Sequence, residues 1–245
     1  MKNIKLILSY EGTNYLGWQK TKMGPSIEET LEKSLQQVLR HPVKLQAASR
    51  TDAGVHARGQ TVNFFTSSEI DLFKLQKSFN GTLPRDISVL SLEEMPESFH
   101  PTLDAQGKEY HYHICLGPVQ LPFHRLFSWH FPYPLNIEEM RAAAQDLVGV
   151  HDFSAFTSEK TNDNVREIFS LDISMMGPSR LQIAVRGNRF LYKMVRTIVG
   201  TLMSIGCGKL KRSDLTQILE SKDRTQAGLT APAHGLFLHK VFYDR

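Results

Sequence analysis

The sequence predicts an α+β protein made of two related α/β halves. Three observations carry that reading. The N-terminal half runs strand, helix, strand, strand, helix, strand, the order of a split βαβ or ferredoxin-like unit. The C-terminal half repeats this style without repeating the residues. Between them, around PESFHPTLDAQGK, the hydrophobic periodicity loosens. The boundary is therefore placed there, giving halves of residues 1–104 and 105–245.

In the first half, Ile4, Leu6 and Leu8 alternate along a strand, and EGTNYLGWQK follows as a glycine-bearing loop. Ser26 and Glu29 have the spacing of a capping box ahead of a helix. Ile27, Leu31, Leu35 and Val38 form its apolar stripe, and Pro42 closes the segment. A strand is expected at GQTVNFFTS, a second helix over EIDLFKLQKSFNGTL and a strand over RDISVLSLEEM. In the second half, KEYHYHICLG reads as a strand, followed by a proline-rich stretch from Pro118 to Pro134. A helix over NIEEMRAAAQDLVGV, strands at VREIFSLDISMM and SRLQIAVRGN, a helix over FLYKMVRTIVGTLMSIG and a last strand, LFLHKVFYD, complete it.

Composition is that of an ordinary globular protein: 41% hydrophobic, 22% charged, 29 Lys and Arg against 25 Asp and Glu. The net charge of +4 suits a phosphate-rich partner without requiring one. Cys115 and Cys207 show no CxxC or zinc-like spacing, so structural thiols in a reducing, cytoplasmic setting are expected. The first residues read as a strand and not as a signal peptide, and no run is long enough for a membrane span. The phosphate loop GxxxxGK[ST], GxGxxG after a strand, HExxH and a nucleophile elbow are all missing. Nucleotide hydrolysis and nicotinamide chemistry are thereby disfavoured.

Three stretches carry candidate chemistry. In SRTDAGVHARGQ, Asp52 stands among Arg50, Gly54, His56, Arg58 and Gly59. An Asp in such a loop is most simply a helix cap or an Asx turn; the functional alternative is a carboxylate kept ionised by Arg50. In KEYHYHI, Tyr110 and Tyr112 share one strand face, and His111 and His113 the other. The tyrosines fit either a core or a base-stacking platform. No third ligand accompanies the histidines, so an ordinary polar face is expected, with no metal. In NRFLYKMVRTIVGTLMSIG, Leu191, Met194, Val195, Ile198 and Leu202 form a stripe that leaves out Arg189, Lys193 and Arg196. Arg196 is then either a solvated charge or a guanidinium fork holding a carboxylate or phosphate.

RTDAGVHA, taken with YEGTNYLGWQ, NGTLPRDI, FH, KEYHY, HDFSAF, FLYKMVRTIVGTLM and GLFLHKVFY in that order, closely resembles the TruA family of tRNA pseudouridine synthases. The resemblance implies two halves that share a central, mostly antiparallel sheet, with a catalytic cleft between them. It also implies a cofactor-free isomerase of uridines 38 to 40 in the anticodon stem-loop of tRNA, working as a homodimer. By position in the motif, Asp52 is the nucleophile and Tyr110 lies against the target uracil. Arg50, Arg58 and Arg196 match basic residues at the substrate. Three departures are visible: Ser49 where members commonly carry Gly, Glu11 where Asp is usual, and Pro101–Thr102 after FH, where an Arg is frequent. Two other classes compete, an RNA-binding protein without chemistry and a carboxylate glycosidase. The second carboxylate that a glycosidase needs is not apparent.

Overall fold

The computed structural model describes residues 1–159 and 162–244. The chain divides into two compact units, Met1–Gln106 together with the chain from Phe237 onward, and Gly107–Leu236.

The first unit contains β1 (Lys2–Tyr10), α1 (Ile27–Leu39), β2 (Gln46–Ala47), β3 (His56–Thr66), α2 (Leu72–Thr82) and β4 (Ile87–Met95). β1 lies between β3 and β4, antiparallel to both, and β2 is antiparallel to the far edge of β3. Each helix thus links two strands separated by a third, which is the split βαβ arrangement expected from the sequence.

Local chemistry explains the helices. The Ser26 hydroxyl accepts the Glu29 N–H at 3.3 Å, capping α1. Two further N–H groups of its first turn, on Ile27 and Glu28, donate to the carbonyls of Gly17 and Trp18. Asp71 caps α2 in the same way, through Lys74 N–H at 3.1 Å. Ile27, Leu31 and Leu35 of α1 and Phe79 of α2 are fully buried, as are Ile4, Leu6, Leu8, Val62 and Phe64 of the sheet. Each such side chain contributes about 1.5–3 kcal/mol by leaving water. Val38, expected on the stripe, is only half-buried at the helix end.

The second unit contains β5 (Gly107–Leu116), β6 (Trp129–Phe131), α3 (Ile137–Gln145), β7 (Gly149–Asp152), β8 (Val165–Met175), β9 (Arg180–Gly187), α4 (Met194–Gly206) and α5 (Asp214–Ser221). Strands β5, β9, β8 and β7 are neighbours in that order, all antiparallel, and β6 runs parallel to β5. α4 is buried on nearly every side, including Met194, Ile198, Val199, Leu202, Met203 and Ile205, as a helix apolar all round must be. α3 packs on α4 and on β8. After Leu236 the chain returns to the first unit as β10 (Leu236–Phe242), which pairs parallel to the start of β3 through Phe237 with His56 and Leu238 with Ala57.

The α+β class with mostly antiparallel strands is as expected, and several boundaries differ. α4 starts four residues later than the helix expected from Phe190 onward, because Lys193 adopts the left-handed conformation at φ 59°. Arg189 and Lys193 therefore precede the helix. The segment NIEEMRAAAQDLVGV is helical only to Gln145 and turns at Gly149 into β7. β3 begins at His56, inside the glycine-punctuated motif. No described helix is long and apolar enough to cross a membrane.

Candidate active site

The first unit presents Asp52 on a loop that is closed and clamped from outside. Val55 N–H donates to the Asp52 carbonyl at 3.1 Å, and Gly54, two residues after Asp52, sits at φ +76°. That is the geometry of a β-turn needing glycine at its third position. Asp52 is therefore a turn residue, but its main-chain carbonyl closes the turn. Its side chain is half-buried.

The loop after β1 holds this turn in place. Trp18 N–H donates to Thr51 O at 2.9 Å, and Gly54 N–H to Tyr15 O at 3.3 Å. The Tyr10 hydroxyl meets Thr51 Oγ1 at 2.8 Å, and Gly12 N–H donates to His56 Nδ1 at 2.9 Å. With Nδ1 accepting, the ring proton resides on Nε2. The approach is close enough to demand glycine. A Cβ on Gly12 would lie 2.0 Å from Val55 O, and one on Gly17, at φ +95°, 2.7 Å from Thr51 O. YEGTNYLGWQ and RTDAGVH are thus two strips of backbone pressed together.

The departures in the sequence fall where the fold absorbs them. The Gln60 side-chain amide takes both main-chain groups of Ser49, accepting its N–H at 3.3 Å and donating to its carbonyl at 2.6 Å. These two bonds use main-chain groups that any residue at position 49 would offer. Thr102 donates its hydroxyl to Ala47 O at 2.8 Å, tying its segment to β2. Glu11 donates its N–H to Asp86 O.

Arg50 and Arg58 are both exposed. Among the described residues Arg50 makes no ion pair. The Arg58 guanidinium lies over the Phe237 ring at 5.0 Å, and the buried His56 ring stacks on Phe237 at 4.6 Å. Such a cation over a ring is held in place without using its N–H groups.

In the second unit the two tyrosines of β5 separate in role. Tyr112 is fully buried and donates its hydroxyl to Pro232 O at 2.8 Å. Burial drives its ionisation well above the usual tyrosine range. It is a core residue. Tyr110 retains slight exposure and meets the Phe190 ring edge-on, with centroids 5.2 Å apart.

Arg196 is half-buried in the first turns of α4, and the charged-face reading is set aside by its contacts. Its Nε donates to Ala231 O at 2.8 Å, while its own carbonyl accepts Ala231 N–H at 3.0 Å. Its charge also reaches His234, whose ionisation is pushed down first by burial and then by Arg196. The segment that grips it, GLTAPAHG, was not identified from sequence. Its signal is the small residues, since Gly228 N–H reaches Thr201 Oγ1 at 3.0 Å only because both backbones come so close. Asp52, Arg50 and Arg58 thus belong to one unit, and Tyr110 and Arg196 to the other.

A family model described as tRNA pseudouridine synthase matches residues 6–104 and 143–244. The chain is 54% identical over 248 residues to tRNA pseudouridine synthase A 2 of Protochlamydia amoebophila (strain UWE25), covering 99% of this chain and 95% of that protein. It is 45% identical over 246 residues to tRNA pseudouridine synthase A of Thermoanaerobacter sp. (strain X514), covering 99% and 100%. With the corresponding protein of Exiguobacterium sp. (strain ATCC BAA-1283 / AT1b) it shares 43% identity over 247 residues, covering 100% and 99%. Matches of this extent show that the chain belongs to the tRNA pseudouridine synthase family.

Proposed function

We propose that the protein isomerises uridine to pseudouridine at nucleotides 38 to 40 of the tRNA anticodon stem-loop, with Asp52 as the nucleophile. The C1'–N1 bond breaks, the uracil turns, and C5 bonds to C1'. The C5 proton leaves and N1 gains one, so the reaction is redox-neutral and the RNA keeps its mass. The family resemblance implies no cofactor for this chemistry and a homodimer as its working form, and the reduced thiols expected of Cys115 and Cys207 suit a cytoplasmic setting.

The observation that carries the reading is the clamp around Asp52. Glycines at 12 and 17 bring a second backbone into van der Waals contact with the turn, holding the position of a half-buried carboxylate. Rigid placement is what an attack at the sugar–base junction needs, since an error of about 1 Å costs on the order of 100-fold. A stem uridine must first leave the stack, at a cost of a few kcal/mol. Tyr110, against that uracil, would recover ~1–3 kcal/mol by stacking. Arg50, Arg58 and Arg196 supply donors for the RNA and for the reacting centre.

The test is tritium release from tRNA labelled at uridine C5. Wild-type protein releases tritium without added cofactor, and Asp52→Ala releases none above background. Full activity in Asp52→Ala would remove the nucleophile assignment. Free uracil as product would favour a glycosidase, and tRNA binding without release would leave a binding protein.

A further inference from the structure

We propose that Lys108 and Arg189 together hold one backbone phosphate of the tRNA beside Tyr110. The inference rests on the tRNA-modifying reading above and adds a substrate contact to it.

The pair is assembled by β5 and the end of β9. Lys108 and Tyr110 are two residues apart on β5 and so point to the same face, one pleat apart. Opposite Lys108 in the register stands Gly187, and the space that a side chain would take there is already filled by the Glu167 carbonyl and the Phe190 ring. A Cβ there would lie 2.6 Å from Glu167 O and 3.1 Å from the Phe190 ring. The turn after Gly187 then carries Arg189 and Phe190, and Phe190 meets Tyr110 edge-on. Tyr110 therefore has an aromatic ring against it and Lys108 one pleat away on its own strand face, and Arg189 precedes that ring in the chain.

These cations are unusual in what surrounds them. The Lys108 ammonium and the Arg189 guanidinium make no side-chain hydrogen bond or ion pair among the described residues. Arg189 is exposed and Lys108 is half-buried. Burial, and then the Arg189 charge, push the Lys108 ammonium down to about 8. A fold that sets a partly buried lysine against a like charge, with no carboxylate to offset either, is destabilised by that placement. An external anion removes the penalty. A phosphate diester offers two oxygens to two cations, matching the fork of Arg and the point charge of Lys.

Further along the same turn, Lys193 lies 4.8 Å over the exposed Tyr192 ring. The segment thus presents two aromatic rings, Phe190 and Tyr192, flanked by the cations Arg189 and Lys193, groups of the kind that single-stranded nucleic acid favours.

The experiment measures tRNA affinity against KCl concentration for the full chain, as wild type, Lys108→Met, Arg189→Gln and the double variant, with Lys108→Arg as the conservative control. The double variant is expected to flatten the log–log salt slope by about one unit, the share of one phosphate. Each single variant should bind roughly tenfold more weakly, as for loss of one charge-assisted bond. The two losses should be less than multiplicative because they share a ligand. Turnover should fail in KM more than in kcat, and Lys108→Arg should recover most of the affinity. An unchanged salt slope in the double variant, with an unchanged melting temperature, would overturn the proposal. Should Lys108→Met not fold, the exposed Arg189→Gln carries the same test alone. Wild-type tritium release separates the two readings. If it is absent while wild type binds tRNA, the isomerase reading fails, and the slope comparison still decides the phosphate contact.

Discussion

Gly12→Ala places a methyl group where the nucleophile loop already is. Its carbon would lie 2.0 Å from Val55 O, 2.7 Å from Val55 C and 3.1 Å from Val55 N. Side-chain β-carbons essentially never come nearer than 3.0 Å, so the two backbones must separate by about 1 Å. Neither can yield cheaply, because Gly12 N–H is bonded to the fully buried His56 and Val55 N–H to Asp52 O. Overpacking of this kind costs about 1–3 kcal/mol of stability. The functional loss should be larger, because the displaced turn is the one that carries Asp52. A shift of ~1 Å corresponds to roughly a 100-fold fall in kcat/KM, or about 2.7 kcal/mol of transition-state binding. The matched control is Gly81→Ala, in α2, where a Cβ meets nothing within 4 Å. That change should leave turnover intact and raise stability by about 0.5–1 kcal/mol. Tritium release and thermal melts on the two variants make the comparison. Wild-type turnover in folded Gly12→Ala would refute the claim that the clamp positions the carboxylate.

Three further outcomes follow from the second unit. Tyr110→Phe should abolish most turnover while keeping tRNA affinity, whereas Tyr112→Phe should keep turnover and lose about 1 kcal/mol of stability with its bond to Pro232; reversal of that pattern in kinetics and melts would exchange the two roles. Arg196→Lys should lower kcat/KM strongly, because an ammonium cannot bond Ala231 and present a planar fork at once; unchanged single-turnover rates would return Arg196 to a structural part. His234 is held below the ordinary histidine value of 6.5 by burial and by Arg196. The unfolded chain therefore takes up the proton first, and stability should fall as pH drops below about 6.5. Melting curves for His234→Gln across that range should be flatter than for wild type.

Much of the fold was legible because its helices and strands obey local rules. Ser26 with Ile27, Leu31 and Leu35 announces α1, and alternation in Ile4, Leu6 and Leu8 announces β1. What escaped depends on backbone geometry or on distant partners. Leu191 continues the apolar period of α4, yet Lys193 breaks the helix through a left-handed φ that no hydrophobic pattern encodes. α5 offers only Leu215 and Ile218 as buried anchors, too few for a period to stand out. His56 and Ala57 extend β3 into the motif because a strand remote in sequence pairs with them. At the site, Asp52 was visible as a residue but not its holder. The clamp is made mostly by main-chain carbonyls and N–H groups, which every residue carries, and Gly12 and Gly17 are its plainest signs in the sequence.

The strand from Phe237 onward has a temporal meaning. His56 and Ala57 wait for partners that lie beyond the whole of residues 107–236 in the chain. A ribosome delivering residues at ~5–20 per second makes that interval roughly ten seconds or longer. During it the start of β3 lacks its parallel neighbour, and His56 lacks the ring on which it stacks. The start of β3, which leads out of the aspartate loop, is thus among the last parts of the molecule to gain its neighbour, after the second unit has already been synthesised. Premature cleavage near residue 236 would leave most of both cores intact while undoing the edge next to Asp52.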